Sequence, residues 1–219
     1  MPLLELHDLS VGYAGHPAAL SAVSATLTAG TFCCLVGRNG TGKSTLLRTI
    51  ARLQPACSGR IDAPSDIAIV LTQVPDLQHT TAREMAAYGR LAHTGILGRL
   101  RDSDRQAADR ALRQVGIADL AERYISTLSD GEKQKVMIAR ALAQETQLLL
   151  LDEPSAFLDY PSRRDLMTVL SRLCHDDGKA ILLSTHDVEL ATQAADILWY
   201  LHDGQLTVMP PQSFIPDDM

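Results

Sequence analysis

The stretch "GRNGTGKST", Gly37 to Thr45, restricts this chain more than any other feature. It fits the pattern G-x-x-x-x-G-K-[ST]. The apolar run "TFCCLVG" leads into it and ends at Gly, as a buried strand would; "GTGKSTLLRTIARL" follows with apolar positions at helical spacing. In that setting the glycines let the backbone curl so that successive N–H groups face one phosphate chain. The helix beyond adds the positive end of its dipole. Lys43 supplies a point charge for the β- and γ-phosphates of a nucleotide, and Ser44 can ligate Mg²⁺.

The rest of the chain supplies the frame. "LLELHDLSVGYAG" alternates and turns like an antiparallel strand and hairpin, and "ALSAVSATLT" reads as its partner. "DIAIVLTQ", "QLLLLDE" and "KAILLSTH" read as buried strands, with the helix "SRRDLMTVLSRLCHD" between the last two. A short helix and a closing hairpin, "ILWYLHDGQLTVM", end the pattern. Strands alternating with helices imply an α/β fold with a mostly parallel sheet covered on both faces. The middle, about 81–122, is mostly helical, punctuated by Gly95, Gly98 and Gly116. One domain over 1–219 is expected, with core and β-subdomain over 1–80 and 145–219 and an inserted helical lobe over about 81–144.

Composition narrows the function classes. The net charge of -6 argues against a nucleic-acid partner, which calls for a basic face. No apolar run is long enough to span a bilayer, and "MPLLELHDLS" lacks the basic start and apolar core of a signal peptide. Cys33, Cys34, Cys57 and Cys174 have no metal-ligand spacing and are expected to be buried fillers of a protein from a reducing compartment.

"QLLLLDEP" adds the second chemical piece. Its leucines bury a strand on both faces, and Asp152 emerges at the carboxyl end, where open α/β sheets bind ligands. Asp152 can hold Mg²⁺, directly or through water, and Glu153 can polarise an attacking water. Together with the phosphate loop this describes a nucleotide hydrolase. "LSDGEKQ", Leu128 to Gln134, adds a second helix start with anion-binding character. Its Ser129 and Glu132 have the spacing of a capping box.

Several motifs in order extend the match over essentially the whole length. "LSDGEKQ" resembles the LSGGQ signature of ATP-binding-cassette (ABC) ATPases. "LTQ" with Gln73 resembles their glutamine loop, "SAFLD" with Asp159 the loop after the catalytic Glu, and "STHD" with His186 the switch histidine. Tyr13 occupies the position of the aromatic that stacks on adenine. The resemblance implies a P-loop ABC ATPase fold working as an ATP-sandwich homodimer with ATP and Mg²⁺. Gly37, Arg38, Asn39, Gly40, Thr41, Gly42, Lys43, Ser44 and Thr45 would hold the phosphates. Ser44, Gln73 and Asp152 would organise the metal. Glu153 would be the catalytic carboxylate, with His186 and Lys43 at the γ-phosphate. Asp159 would cross the interface, while Ser129, Gly131 and Glu132 would form the cap on the other copy's nucleotide.

Two acids, Asp130 and Glu132, depart from the signature. Unit charges ~8 Å apart at an effective dielectric of ~20 repel by ~2 kcal/mol. An acid in the first helical turn gains only ~0.3–1 kcal/mol from the dipole. Asp130 is therefore expected to point away from the phosphate and Glu132 to fold back on its own helix start.

"GRLAHTGILGRL", "LSDGEKQKVMIARALAQET" and "LDEPSAFLDYPSRRDL" resemble ATPase subunits of importers for iron–siderophore, haem and vitamin B12 complexes. The implied partners are a second copy, two membrane permease subunits and, indirectly, a substrate-binding protein, at the cytoplasmic face of the membrane. An exporter subunit, or a soluble cassette acting on ribosomes or DNA, is the alternative. The chain has one cassette, no heptad run and an acidic balance, which count against the soluble alternative. No regulatory tail domain is expected.

Overall fold

The computed structural model describes residues 2–13, 15–72, 78–94 and 99–215. Gln73 and part of "GRLAHTGILGRL" lie outside the described residues. The strands are β1 (Pro2–Val11), β2 (Leu20–Thr28), β3 (Phe32–Val36), β4 (Ser58–Asp62), β5 (Ile67–Val70), β6 (Leu148–Asp152), β7 (Ala180–Thr185), β8 (Ile197–His202) and β9 (Gln205–Met209). The helices are α1 (Lys43–Ile50), α2 (Ala82–Tyr88), α3 (Asp102–Gln114), α4 (Asp130–Leu142), α5 (Tyr160–His175) and α6 (Val188–Ala194).

A six-stranded sheet runs β5-β6-β7-β3-β8-β9, parallel except for β9, which closes antiparallel on β8. Every residue of β3, β6 and β7 is buried, which is why these strands read as continuous apolar runs rather than alternating ones. Side chains of successive residues still face opposite sides. Phe32, Cys34, Leu149 and Leu151 pack towards α4, α5 and α6. Cys33, Leu35, Leu148 and Leu150 pack towards α1 and the small sheet. Burying each such side chain contributes about 1.5–3 kcal/mol, an upper figure because the unfolded chain is itself partly collapsed.

The small antiparallel sheet runs β2-β1-β4. In β1 the buried positions Leu4, Leu6, Leu9 and Val11 break strict alternation between Leu6 and Leu9. A register shift falls there, and Asp8 takes φ 46° with its N–H donated to Ser24 Oγ at 2.9 Å. The extra residue of the bulge returns Leu9 to the core face. The strand β4 is absent from the sequence reading. "SGRID" is almost wholly exposed and offers only Ile61, opposite Leu6, to a partner.

α2, α3 and α4 pack on one another beyond β5. Gly89, just after α2, allows the closest approach: a Cβ there would stand 2.0 Å from the Arg140 carbonyl oxygen on α4. Cys33, Cys34 and Cys174 are buried as expected, and burial pushes the Cys34 thiol up. Cys57 is exposed, so it is no core filler; it lies in the loop before β4, where its N–H meets the Ser10 carbonyl at 2.8 Å. The single tryptophan, Trp199, is fully buried on β8 beside Leu35 of β3, and its Nε1 has no partner among the described residues. No helix among the described residues is long and apolar enough to cross a membrane.

The parallel strands finish side by side. Val36 pairs with Thr185, and Asp152 with Ser184. That shared carboxyl edge carries the residues with chemical potential.

Candidate functional site

The loop after β3 is shaped by two glycines. A Cβ at Gly37 would stand 2.7 Å from the Leu201 carbonyl oxygen. Gly42 precedes α1 at φ 99°, a left-handed conformation that a side chain resists. Arg38, Asn39 and Gly40 form the exposed crest, while Thr41 ties back to the Arg38 carbonyl through its hydroxyl at 2.9 Å. Lys43, only 6% exposed, bends back under this loop. Its Nζ donates to the carbonyls of Gly37 at 2.7 Å and Arg38 at 3.2 Å.

The same ammonium lies 3.6 Å from Glu153 Oε1, and Glu153 Oε2 lies 2.9 Å from His186 Nδ1. Lys43, Glu153 and His186, which are distant in sequence, thus form one line across the carboxyl edge. Such a nearly buried ammonium requires partners, and here it finds them all within the site. Glu153 adopts φ 48°, a conformation that costs about 1–3 kcal/mol in a non-glycine residue. Its N–H donates to both the Ser184 carbonyl at 3.2 Å and Ser184 Oγ at 2.9 Å, which holds the turn.

Asp152 sits beneath, 1% exposed. Its Oδ1 accepts from Ser44 Oγ at 2.8 Å and Ser184 Oγ at 2.9 Å. Its Oδ2 is buried and has no hydrogen-bond partner among the described residues. A carboxylate oxygen without a donor beside a serine hydroxyl is a hard-oxygen donor set, and it fits Mg²⁺. Thr72, at the end of β5, donates its hydroxyl to the Asp152 carbonyl at 2.9 Å and ties the strand end from the other side.

Beyond Glu153 the chain makes two turns, Ala156 N–H to Glu153 carbonyl and Leu158 N–H to Ser155 carbonyl, and reaches Asp159. Within the protomer Asp159 caps α5, taking the Ser162 N–H at 3.1 Å. Hydrogen bonds from Ser162 hold its carboxyl below the usual range. Arg163 fixes this loop to the histidine segment. Its Nε donates to the Leu158 carbonyl at 2.8 Å, and its Nη1 lies 3.3 Å from Asp187 Oδ2.

The start of α4 forms a second cleft, about 120 Å³, walled by Ser129, Gly131, Leu158 and Ser162. The capping box is present. Glu132 N–H donates to Ser129 Oγ at 3.3 Å, and Glu132 Oε2 accepts the Ser129 N–H at 2.8 Å and its hydroxyl at 2.9 Å. The Ser129 N–H, then the hydroxyl, hold the Glu132 carboxyl below its ordinary value. Asp130 is exposed and pairs with Lys133 of its own helix at 3.1 Å. Among the described residues no hydrogen bond joins this cleft to Lys43, Asp152, Glu153 or His186. Tyr13, 55% exposed, lies in the β1–β2 connection, whose far end abuts the phosphate loop: Ala19 Cβ would be 3.2 Å from a Cβ on Gly42.

The stretches "STHD", "LTQ" and "LDEPSAFLDYPSRRDL" contain Ser184, Thr72 and Arg163, but sequence reasoning does not single these residues out, because their contacts depend on strand register and helix crossing. One cluster lies apart. Cys174, His175 and Asp196 place potential ligand atoms within 4.8 Å of one another. Asp196 is already engaged there, accepting the Phe32 N–H at 2.8 Å and pairing with His175 at 3.0 Å.

Fold and site together define a P-loop nucleoside-triphosphate hydrolase. The ABC transporter family model matches residues 20–156, from β2 to the turn after Glu153; the chain belongs to that family, binds ATP and is an ATPase of its cassette fold. It is 36% identical over 218 residues to the iron(3+)-hydroxamate import ATP-binding protein FhuC of Bacillus subtilis, covering 93% of this chain and 80% of that one. It is 39% identical over 192 residues to the aliphatic sulfonates import ATP-binding protein SsuB 2 of Frankia alni, covering 88% and 74%. A solved ABC transporter assigned to the metal-chelate type, in an inward-facing conformation, superposes with a TM-score of 0.91 at 25% identity, covering 98% of this chain and 86% of that one.

Proposed function

We propose that this chain is the energy-coupling ATPase of an importer for iron–siderophore-type chelates, acting as a homodimer beneath two permease subunits at the cytoplasmic face of the membrane. The observation that carries the catalytic half is the line Lys43–Glu153–His186 beside Asp152 Oδ2, which has no partner among the described residues. Lys43 exchanges its loop carbonyls for the β- and γ-phosphates. Glu153, freed from that ammonium, turns to the attacking water, and His186 keeps hold of the carboxylate and the γ-phosphate side. Ser44 and Asp152 hold Mg²⁺, with Gln73 as a further ligand; when bound, the ion neutralises charge developing on the phosphates. Tyr13 stacks on the adenine.

Gly131 supports the dimer. A Cβ there would meet only ordinary contacts, 3.5 Å from Ser162 Oγ, and its backbone is helical. Among the described residues nothing in the protomer requires glycine, although glycine costs a helix interior up to about 1 kcal/mol relative to alanine. A phosphate approaching from a second copy would require it. Asp159 would then lie at the seam between the two copies.

The chelate cargo rests on FhuC and on the metal-chelate transporter; the Frankia relative favours a second reading, an organic sulfonate. Glu153→Gln tests the mechanism: it should bind ATP, lose turnover and accumulate as a dimer on size exclusion with ATP. Turnover at the parent rate would overturn the assignment. Transport of ferric hydroxamate against an alkanesulfonate, by the ATPase reconstituted with its permease, decides the cargo.

A further inference from the structure

We propose that Ser184 is a positioning residue for hydrolysis, an inference that rests on the site reading above. Ser184 is fully buried at the end of β7. A hydroxyl has one proton to give and lone pairs to receive. Here the proton goes to Asp152 Oδ1 at 2.9 Å, and a lone pair takes the Glu153 N–H at 2.9 Å. One oxygen atom therefore touches both members of the adjacent acid pair.

Each contact has a separate consequence. Ser184 and Ser44 converge on the same oxygen of Asp152, and Oδ2 has no donor among the described residues. Ser44 is the residue whose hydroxyl turns to the metal. Once it does, Ser184 is the side-chain donor that remains on Oδ1 among the described residues and keeps the carboxylate from rotating. On the other side, the hydroxyl takes the Glu153 N–H together with Ser184's own carbonyl and so helps secure a backbone at φ 48°, from which the Glu153 carboxylate reaches both Lys43 and His186. The β6–β7 register makes this possible, because Asp152 is paired directly with Ser184. Alanine can make neither side-chain contact and leaves the Glu153 N–H with the Ser184 carbonyl alone; valine matches threonine in shape without a hydroxyl, and threonine carries a hydroxyl able to make both.

The test uses the full chain with Ser184→Ala, Ser184→Val and Ser184→Thr, with Glu153→Gln as reference. Thermal melting establishes that each is folded. Loss of such an outer-shell partner typically costs about 10–100-fold in metal affinity or activity. Ser184→Ala and Ser184→Val should lose kcat and raise the half-saturating Mg²⁺ concentration by that order. Affinity for a fluorescent ATP analogue in EDTA should stay unchanged. Mn²⁺ binding to the ADP complex, read by electron paramagnetic resonance without turnover, should weaken in parallel. Ser184→Thr should restore all three towards the parent. If Ser184→Ala fails to fold, the Thr–Val comparison decides, since the two side chains fill the same volume. Equal kcat and equal Mn²⁺ affinity in Thr and Val, or parent values in Ala, overturn the proposal. Should Glu153→Gln also turn over normally, the site reading itself is at fault; if Glu153→Gln is dead and the Ser184 variants are normal, only Ser184 is misassigned.

Discussion

The helix beginning at Lys43 and the helix beginning at Asp130 both start where N–H groups lack intrahelical partners, yet only the second caps itself. α1 is preceded by Gly42, has no side-chain cap and has no acid in its first turn. α4 is closed by Ser129 and Glu132 in a reciprocal box and carries Asp130 and Glu132 in its first turn. The first start is left open for a ligand bound by its own chain, with Lys43 folded beneath. The second is complete without a ligand. An anion reaching α4 must redirect a Ser129 hydroxyl already given to Glu132 at 2.9 Å. The comparison teaches that one helix start is open and the other already closed by its own side chains; on the proposed reading the first is a standing phosphate seat and the second a conditional one.

Lys43→Ala strikes the standing seat and should have the largest effect. Removing one preorganised charge from a transition state costs about 10²–10³-fold in rate, measured as phosphate release at saturating ATP. A loss below tenfold would break the contrast. Gly131→Ala strikes the conditional seat. Its ATPase should fall by about tenfold, the equivalent of one lost or strained contact of ~1.4 kcal/mol. Its urea midpoint should rise, because alanine gains up to about 1 kcal/mol in a helix. A variant both less active and less stable would place the need for glycine inside the protomer.

The smallest effect is electrostatic. The folded state holds the Glu132 carboxyl below its ordinary 4.5, so the unfolded chain binds the proton more readily. The stabilisation is therefore complete above pH 4.5 and is lost as the pH falls through the lowered value. Glu132→Ala should cost about 0.5 kcal/mol near pH 7, the low end for a lost cap on a partly exposed helix start. The difference in urea midpoint from the parent should close in acid. A gap that persists at pH 3 would mean that packing, not the carboxylate, holds the box.

What could be read from the sequence was what lies close together along it. The loop from Gly37 to Thr45, the Asp152–Glu153 pair and the Ser129–Glu132 box each occupy a few consecutive residues, and local geometry dictates their form. The strand β4 escaped because an edge strand with one half-buried side chain carries no hydrophobic period. Ser184 escaped because its role depends on which residue of β6 it faces, a matter of register. Arg163 and Gly89 escaped for a similar reason: one spans two loops, and the other matters only because Arg140 of another helix crosses there. Cys57 was misread because a short polar strand, not a core element, follows it.

The burial of Trp199 gives the molecule an optical gauge of its own. As the single indole, it is sealed in the layer that carries β3 into the phosphate loop. Its emission is expected to be blue-shifted and shielded from aqueous quenchers for as long as that layer is intact. Loosening confined to the start of α4 should leave the colour unchanged. Fluorescence should therefore follow the nucleotide-holding layer, with no added label.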